Sequence, residues 1–158
     1  ITERDIKQEK EVKIMTIYFD MDGTLANFYG VKGWLNDLQN FRTRPYELAE
    51  PLFDALKMFT LIQALKSKGY HIGVISWCSK SGTPAFDAQV EAVKREWLAK
   101  YFPYAEEIHV VKYGTPKQEV ATAETAILVD DEDKNLDAWN LGDAINAMDM
   151  MEELWGLV

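Results

Sequence analysis

Short apolar runs alternate with segments of helical periodicity along most of the chain. Runs rich in β-formers at residues 13–20, 70–76, 107–111 and 125–130 predict buried strands, and residues 144–147 predict a short fifth strand. This alternation of strand and helix predicts a parallel sheet with helices on both faces. The expected architecture is a three-layer, Rossmann-like α/β fold.

Two long segments between the strands carry apolar residues at helical spacing. In residues 51–69 the apolar positions are Leu52, Leu56, Phe59 and 62–65. In residues 86–101 one side of the predicted helix carries Val90, Val93, Trp97 and Leu98. Shorter helices are predicted from Thr115-Pro116, where a capping residue precedes a first-turn proline, over residues 135–141, and at the C-terminus.

The length and the pattern predict one domain with a small insertion. A chain of 158 residues has room for one domain of ordinary size. Residues 1–12 are polar and predict a disordered or loosely helical segment, and residues 13–158 predict the domain itself. Within it, residues 26–50 predict a small helical flap rather than a large lid domain. The apolar helical face of this flap is formed by Trp34, Leu38 and Phe41.

The charge balance and the cysteine content exclude several classes of protein. The net charge is −9, with 26 acidic and 17 basic residues and no cluster of Lys and Arg, so a nucleic-acid partner is not expected. Cys78 is the one cysteine, which rules out an internal disulfide. No apolar run approaches the ~18 residues of a membrane span, and the charged first residues lack the apolar core of a signal peptide. We therefore expect a cytoplasmic location.

Acidic side chains end two of the predicted strands. The first strand ends in Asp20-Met21-Asp22-Gly23-Thr24, and the fourth ends in Asp130-Asp131. Because ligands bind beyond the carboxyl ends of parallel strands, these carboxylates meet at one edge of the sheet if the two strands are neighbours. Such a cluster is costly without a hard cation, and Mg²⁺ prefers oxygen ligands. The sequence therefore predicts a magnesium site at this edge.

A hydroxyl and an ammonium are predicted at the same edge. Ser76 ends the second strand, and Lys117 lies in the first turn of a predicted helix, with Lys112 as the alternative lysine. Together with the acids, these groups offer what phosphoryl transfer needs: positioning, charge neutralisation and an in-line nucleophile. An Asp can form an acyl phosphate that water then hydrolyses, and a second Asp can move the proton.

Four short motifs, taken in their order along the chain, resemble those of the haloacid dehalogenase (HAD) superfamily. They are Asp20-Met21-Asp22-Gly23-Thr24, Ser76, Lys117 and Asp130-Asp131, and the resemblance extends from about residue 14 onward. It implies a phosphatase in which Asp20 is the nucleophile and Asp22 the general acid/base. The Mg²⁺ ligands that it implies are Asp20, the backbone carbonyl of Asp22, and Asp130. Ser76 and Lys117 would bind phosphate, with Trp77 as a further candidate, and the supporting residues are Gly23, Thr24 and Asp131.

Three longer stretches resemble the 5′(3′)-deoxyribonucleotidase branch of that superfamily. They read FDMDGTLANF, VKREWLAKYF and ILVDDEDKN. The chain departs from that branch at Asn27, where a second acid is usual, and in its shorter cap. The resemblance implies a nucleotide as the small phosphomonoester substrate. The chemistry of the flap side chains independently suggests that its aromatics stack on the substrate and its arginines contact phosphate. The candidate contacts are Phe28, Tyr29, Trp34, Arg42 and Arg44.

The sequence leaves other functions open. A phosphatase of this kind could act on other small phosphomonoesters or on the 3′-phosphate ends of nucleic acids. A receiver-type phosphoacceptor also uses acids, a hydroxyl and a lysine, but its adjacent acids end the first strand, whereas here the Asp-Asp pair comes late. A catalytically silent phosphate-binding protein is a further alternative. No oligomeric state is predicted.

Overall fold

The computed structural model describes residues 15–158, and its centre is a five-stranded sheet. The strands are β1 (Thr16–Phe19), β2 (His71–Trp77), β3 (Glu107–Val111), β4 (Ala126–Asp130) and β5 (Ala144–Asn146). They lie in the order β3-β2-β1-β4-β5, and every neighbouring pair is parallel. This arrangement confirms the predicted Rossmann-like α/β fold. The polar segment predicted for residues 1–12 lies outside the described residues.

Seven α-helices connect and cover the strands within residues 15–158. They are α1 (Trp34–Gln39), α2 (Arg44–Leu48), α3 (Ala55–Ser67), α4 (Pro84–Tyr101), α5 (Lys117–Val120), α6 (Asp133–Ala138) and α7 (Met150–Trp155). The two longest begin after capping side chains, because Asp54 accepts from the N–H of Lys57 and Thr83 from that of Phe86. In this part of the chain, no helix combines the length and the apolar character needed to cross a bilayer.

The helix predicted from Thr115-Pro116 begins later than expected. Pro116 has φ −57° and ψ 122°, so it stays outside the helix, and α5 begins at Lys117. The Thr115 hydroxyl does not cap this helix, because it donates to the carbonyl of Lys112 at 2.7 Å. Lys117 is consequently the first residue of α5.

The helix predicted at residues 135–141 is displaced toward the N-terminus. α6 begins at Asp133, where an acidic side chain is favourable in the first turn. It ends at Ala138, since Trp139 is extended and donates its indole N–H to the carbonyl of Ala126 at 3.0 Å. The displacement brings Asn135 into the first turn of the helix.

The strands β1 and β4 are completely buried, and each of the two longest helices packs one face on the sheet. Every residue of β1 and β4 is buried, as expected for the middle of a parallel sheet. α3 buries a stripe at the spacing of one helical face, formed by Met58, Leu61, Ile62 and Leu65. The helical pattern predicted from Leu52 was wrong at its first positions, because Leu52 precedes the helix, and Leu56 and Phe59 lie off the buried stripe and are exposed.

The insertion between β1 and α3 forms a small flap. It consists of a 3₁₀ turn at Phe28–Gly30 followed by α1 and α2. Its two ends are tied together, because the N–H of Asn27 donates to the carbonyl of Glu50 at 2.8 Å. Aromatic rings form its interior, with Phe28 stacked on Tyr46 at 4.7 Å and tilted toward Trp34 at 5.4 Å.

Phe41 does not share the helical face predicted for it. It lies beyond the end of α1 with φ +54°, a conformation that ends the helix. Its ring packs edge to face against Phe86 of α4, with the centroids 5.6 Å apart. Trp34 and Leu38 both pack against the buried cluster that contains Phe28, Tyr46 and Phe86.

Candidate active site

The carboxylates predicted at the strand ends lie together. β1 and β4 are neighbours in register, with Phe19 opposite Val129, so the residues that follow lie side by side. Carboxylate oxygens of Asp20, Asp130 and Asp131 all lie within 4.8 Å of one another. The parallel pairing of β1 with β4 therefore creates the acidic cluster, which we define as these three residues.

A buried lysine joins the acidic cluster. Lys117 Nζ lies 2.8 Å from Asp20 Oδ1 and 2.7 Å from Asp130 Oδ2, and the side chain is buried. Lys112, the alternative lysine, is exposed. The start of α5 therefore delivers Lys117, and not Lys112, to the carboxyl edge of the sheet.

Neighbouring groups fix the two central carboxylates. Thr24 donates its hydroxyl to Asp20 Oδ2 at 3.1 Å. The backbone N–H of Glu132 donates to Asp130 Oδ1 at 3.0 Å, and the Asn135 amide donates to Asp130 Oδ2 at 3.1 Å. Sequence reasoning missed Asn135, although an amide in the first turn after an Asp-Asp strand end is a recognisable signal.

Gly23 makes room for the third carboxylate. It has φ +84°, which disfavours residues with a side chain. A Cβ on this residue would lie 2.2 Å from Asp131 Oδ2 and 2.8 Å from Asp131 Cγ. The turn after β1 therefore needs glycine both for its backbone conformation and for the position of Asp131.

The crowded carboxylates and Lys117 shift one another's pKa values. Burial alone would raise the pKa of Asp20, but the charge of Lys117 and the hydrogen bonds from Asp131 and Lys117 outweigh it and hold the pKa low. Burial, then the hydrogen bond to Asp20 and the charges of Asp20 and Asp130, raise the pKa of Asp131 to about 8. Three converging carboxylates form a hard oxygen donor set, which fits Mg²⁺.

The side chain of Asp22 lies apart from the acidic cluster and lines the pocket described below. Burial raises its pKa, although the charge of Lys94 acts in the opposite direction. Lys94 Nζ lies 2.8 Å from Asp22 Oδ2 and 2.7 Å from Ser76 Oγ. Ser76 itself is buried at the end of β2. A carboxyl group with a raised pKa beside a pocket is able to hold a proton and give it up.

Sequence reasoning missed Lys94. The residue lies on α4 between Val90 and Leu98, one helical turn from each, and all three are buried. A lysine at the centre of an apolar helical face is a signal, because a buried charge needs a partner. The spacing alone does not identify Asp22 as that partner.

A pocket of about 500 Å³ opens over Asp20 and Asp22. Its aromatic walls come from the flap and from the ends of β2 and β3, and are formed by Phe28, Tyr29, Trp34, Tyr46, Trp77 and Tyr113. The further polar residues that line it are Gln39, Ser79, Lys80, Ser81, Glu132 and Asn135. The flap therefore covers the site with rings rather than with charges.

Three of the residues predicted to contact substrate or phosphate make other contacts instead. Arg42 and Arg44 both pair with buried Asp37 of α1, at 3.6 and 2.9 Å, and neither lines the pocket. The indole N–H of Trp77 donates to the carbonyl of Thr115 at 2.8 Å, so its side chain has no donor left for phosphate. The ring instead forms a wall of the pocket beneath Lys117, whose Nζ lies 5.5 Å from the ring centroid.

The fold has counterparts among solved structures at low sequence identity. D,D-heptose 1,7-bisphosphate phosphatase from Burkholderia thailandensis is similar with a TM-score of 0.53 and 12% identity, over 89% of this chain and 98% of that one. A haloacid dehalogenase-like hydrolase from Burkholderia xenovorans has a TM-score of 0.47 and 11% identity, over 91% and 99%. No protein-family model and no curated protein matches the sequence. The likeness to the heptose phosphatase shows a shared α/β fold.

Proposed function

We propose that this chain is a Mg²⁺-dependent phosphomonoesterase of the haloacid dehalogenase type, with Asp20 as the nucleophile. The observation that carries the proposal is the position of Asp20, which belongs to the acidic cluster with Lys117 and also lines the pocket beside Asp22. Asp20 therefore lies next to the carboxylates that could bind a cation and next to Asp22, which could transfer a proton, and a substrate in the pocket can reach it.

The proposed reaction would proceed in two steps. In the first, a carboxylate oxygen of Asp20 bonds to phosphorus while the ester oxygen leaves, and protonated Asp22 gives that oxygen its proton. In the second, a water oxygen attacks phosphorus, Asp22 takes the proton of the water, and the bond from Asp20 to phosphorus breaks. Phosphate is released and the Asp20 carboxylate is regenerated.

Other residues would hold the phosphate and balance its charge. Lys117 would neutralise charge next to Asp20, and the Ser76 hydroxyl would donate to a phosphate oxygen. Asp20, Asp130 and the backbone carbonyl of Asp22 would bind Mg²⁺, with Asp131 alongside. When bound, this ion supplies charge neutralisation for the transferring phosphoryl group.

The pocket favours a substrate with a planar, partly apolar leaving group, for which a nucleotide is the leading candidate. Tyr29, Trp34 and Tyr113 offer ring surfaces on which a base can stack. Lys80 is the lysine at its rim, and the overall charge is −9. A chain with this net charge suits a small phosphomonoester better than the end of a nucleic-acid strand, whose backbone needs a basic path.

The proposal is tested by phosphate release in the presence of Mg²⁺ from p-nitrophenyl phosphate, nucleoside monophosphates, sugar phosphates, FMN and 3′-phosphorylated oligonucleotides. Asp20→Asn should abolish turnover with the fold intact, because an amide cannot form the acyl phosphate. Asp143→Asn is the matched control, since Asp143 is exposed at the opposite, amino-terminal end of β5. EDTA should inactivate the wild type, and Mg²⁺ should restore it.

Four outcomes would contradict the proposal. Wild-type rates in Asp20→Asn would exclude Asp20 as nucleophile, and metal-independent turnover would contradict the role given to the cluster. No release from any substrate would indicate a silent phosphate-binding protein. Stable labelling of Asp20 by a phosphodonor, without turnover, would instead indicate a phosphoacceptor.

A further inference from the structure

Lys94 is a fully buried lysine between the proton-transfer group and the phosphate-binding hydroxyl of the proposed site. Its side chain has 0% exposure, and the ring of Tyr46 lies over the ammonium at 4.9 Å from the centroid. Nζ is 2.8 Å from Asp22 Oδ2, 2.7 Å from Ser76 Oγ and 2.7 Å from the carbonyl oxygen of Trp77. Lys94 has no role in the two steps of the proposed reaction.

The ammonium of Lys94 has no donor left for a substrate. A protonated lysine offers three N–H donors and no acceptor, and three oxygens already lie within hydrogen-bond distance. Lys94 is also sealed from the pocket, whose lining it does not join. Any effect of this residue on the reaction therefore passes through its neighbours.

The contact with Ser76 fixes the direction of a hydroxyl. Because Lys94 can only donate, Ser76 Oγ accepts from it, and the hydroxyl hydrogen must point elsewhere. Among residues 15–158, no acceptor is hydrogen-bonded to that hydrogen. It is free to turn toward an oxygen bound beside it, although Ser76, like Lys94, is buried and does not join the lining of the pocket.

The contact between Lys94 and Asp22 fixes the orientation of the Asp22 carboxylate. Oδ2 is held by Lys94, whereas Oδ1 has no hydrogen-bond partner within the described part of the chain. The attraction is strong because the ammonium is withdrawn from water. Asp22 can thus present Oδ1 to the pocket in one orientation.

We propose that Lys94 is a positioning residue, which holds the carboxylate of Asp22 and the hydroxyl of Ser76 in their working orientations. This inference rests on the phosphatase proposed above. It predicts a loss of proton transfer to the leaving oxygen when the ammonium is removed and its aliphatic stem is kept. Lys94→Met makes that change.

The test compares kcat/KM for two phosphomonoesters that differ only in their leaving group. p-Nitrophenolate leaves without help from an acid, whereas an alkoxide needs the proton. General acid catalysis contributes about 10²-fold or more, so Lys94→Met should lose about 10²-fold in kcat/KM on an alkyl phosphate. On p-nitrophenyl phosphate the loss should stay below about 10-fold, because it reflects only the displaced Ser76 hydroxyl.

Controls on the same helix and at Asp22 separate positioning from a general structural effect. Lys100→Met removes an exposed lysine from α4 and should leave both substrates unaffected. In an Asp22→Asn background, Lys94→Met should no longer change the ratio between the two substrates, because the group through which it acts is already gone. If Lys94→Met does not fold, Lys94→Arg makes the same comparison, since the planar guanidinium keeps the charge but not the geometry.

An equal loss on both substrates, or additive effects of Lys94→Met and Asp22→Asn, would overturn the inference. So would wild-type kinetics in Lys94→Met. Failure of the proposed function would give a different result. Either the wild type would hydrolyse neither substrate, or the Asp20→Asn variant would be as active as the wild type.

Discussion

Gly23→Ala tests whether Asp131 is held over the turn that follows β1. An added Cβ would lie 2.2 Å from Asp131 Oδ2, at a residue whose φ is +84°. Alanine in a left-handed conformation costs about 1–2 kcal/mol, and the clash forces the carboxylate of Asp131 away from Asp20 and Asp130. Gly69→Ala is the matched control, because Gly69 has φ +96° and nothing within 4 Å of an added Cβ.

The two variants should differ in their response to metal. In EDTA Gly69→Ala should lose about 1–2 kcal/mol, which corresponds to about 2–4 °C in Tm per kcal/mol for a domain of this size, and Gly23→Ala should lose at least as much because its Cβ also meets Asp131. Mg²⁺ at 100 times its Kd stabilises the native protein by about 2.7 kcal/mol. Displacing a group around a metal weakens affinity about 10–100-fold. At the same Mg²⁺ concentration, the stabilisation of Gly23→Ala should therefore fall to about 0.4–1.4 kcal/mol.

The measurement is unfolding of the wild type and both variants, in EDTA and across a Mg²⁺ titration. Gly69→Ala should keep the wild-type stabilisation by Mg²⁺, and Gly23→Ala should lose about half of it or more. Equal stabilisation of the two variants would refute the placement of Asp131 over Gly23. A wild type whose stability does not respond to Mg²⁺ would refute the metal site itself.

Two further predictions concern a buried thiol and a partly buried carboxyl group. Burial raises the pKa of the Cys78 thiol from 9.0 to about 11, so near pH 8 it should react with iodoacetamide about 100-fold more slowly than a small-molecule thiol; equal rates would contradict this burial. Burial and the hydrogen bond to Asp20 raise the pKa of Asp131 from 3.8 to about 8. Since the folded pKa lies above the unfolded one, the contribution of Asp131 to stability is complete below about pH 4 and is lost as pH rises through about 8. In EDTA, urea unfolding should show Asp131→Asn gaining stability relative to wild type across that window, and a pH-independent difference would be evidence against the raised pKa.

The acidic cluster could be predicted because it depends on topology alone. Once β1 and β4 are taken as neighbouring parallel strands, residues that follow them lie at one edge whatever the details of side-chain packing. Asp20, Asp130 and Asp131 needed no further information to be placed together. The sequence also favoured Lys117 over Lys112. The reason for that choice, a helix capped by Thr115, was wrong, because the Thr115 hydroxyl does not cap α5.

The flap could be predicted as an element but not in its contacts. Its short helices and aromatic residues follow from the pattern, and Phe28, Tyr29 and Trp34 do line the pocket. The flap arginines were predicted to contact phosphate because a guanidinium binds it well, but a guanidinium binds a carboxylate equally well. A carboxylate in the flap itself, Asp37, pairs with both Arg42 and Arg44. Sequence gives no means of ranking that local acid against a ligand.

Lys94 shows a limit of a different kind. Its neighbours one turn away, Val90 and Leu98, mark the buried face of α4, so a lysine there must be paired, since an unpaired buried charge is too costly to keep. That much follows from periodicity. Its partner Asp22 lies 72 positions earlier, and the pairing depends on how α4 is rotated over the end of β2, a packing outcome that periodicity does not determine. A charge on an apolar helical face therefore predicts that a partner exists, and the strand ends are where that partner should be sought.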